Sequence, residues 1–77
     1  MKIKIYGADW CSDCINLKNF LKSRELKFEY IVITDNQDAI SFVESINNGK
    51  RIIPTIDIDG KIYSNPGIHK VMKIIGK

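Results

Sequence analysis

The sequence predicts an α/β domain, a mixed four-stranded sheet with helices on both faces, in the order β-α-β-α-β-β-α. Three observations lead there. Four short segments carry apolar, β-branched or aromatic residues at strand spacing. Three longer segments repeat apolar residues at helical spacing. An Asp59-Gly60 pair between the last two strands calls for a tight antiparallel hairpin. The first strand-helix-strand unit instead needs parallel strands and a right-handed crossover. One mixed sheet covered on both faces satisfies every apolar stripe. With 77 residues, 44% of them apolar, residues 1–77 have room for a single domain.

Residues 2–6 read as the first strand, with Ile3 and Ile5 on one face and Lys2 and Lys4 on the other. A central strand is expected to be apolar on both faces, so the lysine stems should be partly covered and their ammonium groups wet. Gly7 is read as the strand breaker. From about residue 11 to residue 23, Cys14, Leu17, Phe20 and Leu21 recur as one face of a helix. Residues 27–33 are aromatic and β-branched and read as the second strand. Thr34 with Gln37 three residues on reads as a capping box. Ala39, Phe42, Val43 and Ile46 then form the stripe of a second helix, which Gly49 stops. Residues 55–58 and 61–63 are the hairpin strands. Asn65 reads as an N-cap with Pro66 at the first helical position, and Ile68, Val71, Met72 and Ile75 as the stripe of a third helix.

Composition excludes several functions. No apolar run approaches the roughly 20 residues that span a membrane. The start alternates Lys and Ile and does not resemble a secretory signal peptide. Twelve Lys plus Arg against nine Asp plus Glu give a formal charge of +3. The lysines are spread along the chain rather than clustered with aromatics, so a nucleic-acid partner is not expected. Two cysteines are too few for a disulfide-stapled secreted domain. A reducing, cytoplasmic compartment and a monomer without membrane attachment are expected.

The two cysteines form Cys11-Ser12-Asp13-Cys14, placed after a strand and opening a helix. Cys11 then sits at the helix N-terminus, whose unpaired N–H groups and dipole favour a thiolate. Three residues is close to one turn, so Cys14 lies beneath Cys11 and can reach its sulfur. Cys11 is the expected exposed nucleophile and Cys14 the shielded, resolving thiol. Trp10 supplies an apolar platform beside the sulfur. Asp9 and Asp13 place negative charge near Cys11 and oppose the helix dipole. The alternative is half of a zinc or iron site. A closed zinc site needs four ligands, and His69, far along in the third helix, is the one histidine on offer. No metal is therefore expected.

These residues resemble a known family. Trp10-Cys11-x-x-Cys14 with Leu17-Lys18-x-x-Leu21 resembles the glutaredoxin branch of the thioredoxin superfamily. Asn47-x-Gly49-x-Arg51-x-Ile53-Pro54-Thr55, then Asp59-Gly60 and Ser64-Asn65-Pro66, is similar to the mycoredoxin and glutaredoxin-like group. The resemblance runs along the whole chain and implies a thioredoxin fold of the minimal glutaredoxin type. It implies a cis Ile53-Pro54 peptide facing the cysteines, and that the Ile53 backbone pairs with the substrate's cysteine segment as a short added strand. Arg51 is a candidate for a substrate carboxylate or for supporting the thiolate, as is Lys18. Ser12-Asp13 stands where many glutaredoxins carry Pro-Tyr. Ser64-Asn65-Pro66-Gly67 stands where many carry Gly-Gly and an acidic residue, leaving Asn65 and Gly67 as candidates for a carboxylate at that helix start.

The function implied is reduction of protein disulfides, or of protein–small-thiol mixed disulfides, with no bound cofactor. Glutathione or another low-molecular-weight thiol is the implied co-substrate, and a reductase or that thiol recharges the protein. Three alternatives stand beside it: a dedicated electron donor to one enzyme such as ribonucleotide reductase, recharged by thioredoxin reductase; a dimer bridging an iron–sulfur cluster through Cys11; and a scaffold whose dithiol is inert.

Overall fold

The computed structural model describes residues 1–76. The elements are β1 (Ile3–Gly7), α1 (Ser12–Ser23), β2 (Glu29–Val32), α2 (Gln37–Ile46), β3 (Thr55–Ile58), β4 (Lys61–Ser64) and α3 (Gly67–Ile75). They form one four-stranded sheet in the order β2-β1-β3-β4. β1 runs parallel to β2 and antiparallel to β3, and β3 and β4 form the hairpin. Asp59 and Gly60 take φ of 52° and 90°, the left-handed pair that such a turn needs.

Each face of the sheet carries its own core. On one, Ile3 and Ile5 of β1 and Ile56 and Ile58 of β3 pack with Leu17 and Leu21 of α1 and Val71 and Ile75 of α3. Burial of each such aliphatic side chain is worth about 1.5–3 kcal/mol. On the other, Ile33, Ala39, Ile40 and Val43 pack with Tyr6, Ile31 and Ile53. The predicted stripe of α2 is rotated from the observed one. Ile40 takes the buried place, whereas Phe42 and Ile46 lie at the rim. Phe42 stacks on Tyr6 with ring centroids 4.9 Å apart, a contact at the edge of the core.

β1 is central, and Lys4 is half-buried on the α2 face. Its register partners are Glu29 on β2 and Asp57 on β3. Opposite charges across neighbouring strands offset the cost of a lysine in a central strand. Lys2 falls outside the strand and is exposed, its backbone N–H donating to Asp59 Oδ1 at 2.7 Å.

Several boundaries differ from the sequence reading. Gly7 does not break β1 but ends it, pairing with Val32. β2 is shorter than residues 27–33. Asn36, not Thr34, caps α2: its Oδ1 accepts the Ala39 N–H at 3.1 Å. Thr34 stands two residues outside the cap, and Gln37 Nε2 reaches forward to Ser41 at 3.3 Å. Asn65 is not the cap of α3. It takes a left-handed φ of 44°, Pro66 flanks the helix, and no side chain caps it. The Asn65 N–H is instead committed to the Pro54 C=O at 2.7 Å, which turns the chain before α3 can start.

Candidate active site

Cys11 ends the loop after β1 with extended backbone, and so becomes the N-cap of α1. Its Sγ accepts the Cys14 N–H at 3.2 Å. The sulfur thus does the work of a Ser or Asp cap and meets the positive end of the helix. Both cysteines are free thiols; Cys11 is half-buried, while Cys14 is fully buried one turn below. The pair has the asymmetry that the spacing predicts.

Cys14 is shut in by two residues, Gly7 and Tyr30, to which the sequence reading assigns no part in the site. A Cβ on Gly7 would lie 2.8 Å from Cys14 Sγ and 2.8 Å from the Tyr30 hydroxyl. Only glycine lets the sulfur and the phenol meet over the strand. Tyr30 O–H donates to the Ala8 C=O at 2.8 Å. Burial, and next the hydrogen bond with Cys11, push the Cys14 thiol up to about 12. Hydrogen bonds from the Ala8 backbone and from Tyr30 pull the other way. Tyr30 is itself raised to about 12, chiefly by burial and then by charge at Cys14. Lys18 Nζ sits 4.8 Å from the centre of the Tyr30 ring.

The Ile53–Pro54 peptide is cis, in accord with the resemblance. Its loop is held from behind by a buried polar cluster. Asn47 Nδ2 donates to the Val43 C=O at 2.7 Å and to Thr55 Oγ1 at 3.4 Å. Thr55 O–H donates to the Ile52 C=O at 2.7 Å, and Ser64 O–H donates to Asn47 Oδ1. Asn47 is thus the third residue whose role the sequence reading missed, although its motif was visible. Among the described residues, no hydrogen bond engages the Ile53 N–H or C=O.

The remaining predicted residues fall on two shallow grooves. Asp13, Leu17, Pro54, Asn65, Gly67 and Ile68 line one, between the starts of α1 and α3. Asp13 lines the same groove as Asn65 and Gly67, so a carboxylate there meets negative charge. Trp10, Arg51 and Ile53 line the other with Ile33, Thr34 and Ile40. Trp10 is 74% exposed, an uncommon position for so large an apolar surface. Arg51 is exposed. Its guanidinium pairs with Glu44 at 3.3 Å on the surface. Asp9 is exposed in the loop before Cys11, and His69 is exposed on α3.

A mixed four-stranded sheet with a dithiol at a helix N-terminus and a cis proline just before β3 is the arrangement of a thiol–disulfide oxidoreductase. The family model described as Glutaredoxin matches residues 3–63, and the chain belongs to that family. A glutaredoxin of Mycobacterium tuberculosis is 34% identical over 79 residues, covering 96% of this chain and 94% of its own. Mycoredoxin 1 of Corynebacterium glutamicum is 35% identical over 65 residues, covering 83% of this chain and 80% of its own. Among solved structures, the glutaredoxin-like NrdH-redoxin of Escherichia coli superposes with a TM-score of 0.75 at 25% identity, covering 94% of this chain and 90% of that one. No helix among the described residues is long and apolar enough to cross a membrane.

Proposed function

We propose that this protein is a dithiol reductant of protein disulfides and of protein–small-thiol mixed disulfides. Cys11 is the nucleophile, Cys14 the resolving thiol. The observation that carries the reading is the unequal exposure of two thiols one helical turn apart, with the accessible one at the helix N-terminus. Cys11 thiolate attacks a substrate sulfur, forms a mixed disulfide and releases the other sulfur as a thiolate. Cys14, or a second small thiol, then attacks Cys11 Sγ and frees the reduced substrate.

Substrate is held beside Ile53. The free N–H and C=O of that residue can take an extended segment as one added strand, which is the pairing the family resemblance implies. Trp10 offers apolar contact on one side of the sulfur. Arg51, Asn65 and Gly67 stand at the groove edges, where a small thiol's carboxylate would be read.

Cys11→Ser is expected to abolish all disulfide reduction. Cys14→Ser is expected to abolish reduction of intramolecular disulfides and to keep activity on mixed disulfides in the presence of a small thiol. Equal behaviour of the two variants on mixed disulfides overturns the assignment of roles.

A second reading concerns what recharges the protein. Asp13 in the groove where a γ-glutamyl carboxylate would lie disfavours glutathione, and favours a dedicated redoxin served by thioredoxin reductase. The NrdH-redoxin among its structural neighbours is described as having a thioredoxin-like activity profile. Reduction of the oxidised protein by NADPH and thioredoxin reductase, compared with NADPH, glutathione and glutathione reductase, decides between the two.

A further inference from the structure

Resolution by Cys14 presents a physical difficulty. The thiol that must attack is the fully buried one, and its surroundings hold it protonated. A thiol attacks only as its thiolate. Something in the site has to stabilise negative charge on Cys14 Sγ at the moment of attack without giving water a way in.

We propose that the Tyr30 hydroxyl is the group that stabilises the Cys14 thiolate during resolution, with Lys18 strengthening it through the face of the ring. The phenol and the sulfur converge over Gly7, close enough that one Cβ there would touch both at 2.8 Å. In the resting dithiol the O–H donates to the Ala8 C=O at 2.8 Å. Rotation about the C–O bond turns the same proton toward Sγ, with no movement of the ring. The hydroxyl keeps its proton throughout, because burial raises it well above the usual tyrosine range. It is therefore a donor and not a base. The ammonium of Lys18, 4.8 Å from the ring centroid, withdraws charge from the ring and makes the O–H a stronger donor. The charged and titratable groups facing this pair are Cys11 at the start of α1, Asp9 in the preceding loop and Lys18 on α1. In the resting dithiol Cys11 raises both Cys14 and Tyr30, and Asp9 raises Tyr30; in the mixed disulfide Cys11 carries no charge and that opposition is gone, while the Lys18 ammonium favours the thiolate.

The step balances without another reagent. Cys14 sheds its proton, which ends on the departing substrate sulfur, and its sulfur attacks Cys11 Sγ in the mixed disulfide as the thiolate. The Cys11–Cys14 bond forms as the Cys11–substrate bond breaks. The electron pair leaves on the substrate sulfur, which takes up the proton that Cys14 has lost. The two cysteines lose two electrons and the substrate disulfide gains them.

The inference rests on the proposed roles of Cys11 and Cys14, and the experiment separates the two. Reduced protein mixed with 5,5′-dithiobis(2-nitrobenzoate) in a stopped flow releases one coloured thiolate as Cys11 attacks and a second as Cys14 resolves. Wild-type protein that shows no second release overturns the assigned roles and this inference with them. With two phases present, Tyr30→Phe is expected to leave the first unchanged and slow the second about tenfold, the weak end of the loss of one hydrogen bond to a charged group. The pH midpoint of the second phase should also rise. Phe leaves the Ala8 C=O without its donor and lowers the melting temperature, so a second variant isolates the chemistry. Site-specific 3-fluorotyrosine in place of Tyr30 keeps shape and hydrogen bond, and its more acidic phenol should move the second-phase midpoint to lower pH. Opposite shifts in the two variants support the role. A second phase with unaltered pH dependence in the fluorinated protein, or equal slowing of both phases in Tyr30→Phe, overturns it.

Discussion

Gly7 sits where the strand, the buried sulfur and the phenol come closest. A methyl group there would lie 3.1 Å from Cys14 Cβ as well as 2.8 Å from its Sγ, so rotating the cysteine does not relieve the clash. Gly7→Ala should therefore cost about 1–3 kcal/mol, the usual range for overpacking a core. It should also expose Cys14. The expected signs are a lower urea midpoint and faster alkylation of Cys14 in the Cys11→Ser background. An unchanged midpoint with Cys14 still protected would show that the strand can shift aside. The residues of this site were unequally legible. Cys11 and Cys14 announce themselves because their chemistry is written in local spacing, whereas the cis Pro54 follows only from the family resemblance. Gly7 was visible but read as a strand breaker, since a glycine's need for closeness cannot be told from a need for unusual φ in one sequence. Tyr30 carried no signal. It reads as one more aromatic strand residue, and its partner Ala8 is 22 positions away.

The elements were legible in type and order because each is short and strongly patterned, while their ends were less so. Three oxygen-bearing side chains, Thr34, Asp35 and Asn36, precede α2, and the sequence reading favours Thr34, which matches a capping box. The helix takes the nearest, Asn36, because that leaves Ile33 free to pack against Ile40 and Val43. Asn36→Ala should thus cost about 1 kcal/mol. Thr34→Ala, an exposed position outside the cap, should stay within about 0.5 kcal/mol. Urea titrations of the two variants check this, and a larger loss for Thr34→Ala would restore the capping-box reading. Between α2 and α3 the decisive contact is Asn47, which closes α2 and holds Thr55 and Ser64. Asn47→Ala removes the buried amide that bonds the Val43 C=O, Thr55 Oγ1 and the Ser64 hydroxyl, at about 1–3 kcal/mol. It should also loosen the proline loop, read as faster hydrogen exchange at the Asn65 N–H that bonds the Pro54 C=O. Exchange unchanged from wild type would assign the loop's rigidity to other contacts.

At the scale of the molecule, two small cores on one sheet leave little margin. A domain of this length is held by on the order of 4–12 kcal/mol, from the usual stability per residue. One buried titrating group is then a sizeable fraction of the total. Cys14 is raised from 9.0 to about 12 in the folded, reduced protein. Between those values the unfolded chain has released the proton and the folded chain has kept it. The unfolded state binds fewer protons there, so stability falls as pH rises, and below pH 9 the group has no effect on the slope. For a single proton the limiting slope is about 1.4 kcal/mol per pH unit. Tyr30, raised from 10.0 to about 12, adds a second loss that starts one unit higher. Oxidation removes the Cys14 term altogether, because a disulfide sulfur does not titrate. Reduced and oxidised protein should therefore diverge in alkali, with the reduced form losing stability relative to the oxidised one from about pH 9 upward, and Cys14→Ala should lose that excess. Urea midpoints of all three at pH 7, 8, 9 and 10 measure it. A wild-type slope between pH 9 and 10 equal to that of Cys14→Ala would mean that the buried thiol ionises as easily in the fold as in the open chain, and would remove the need for Tyr30 to assist it.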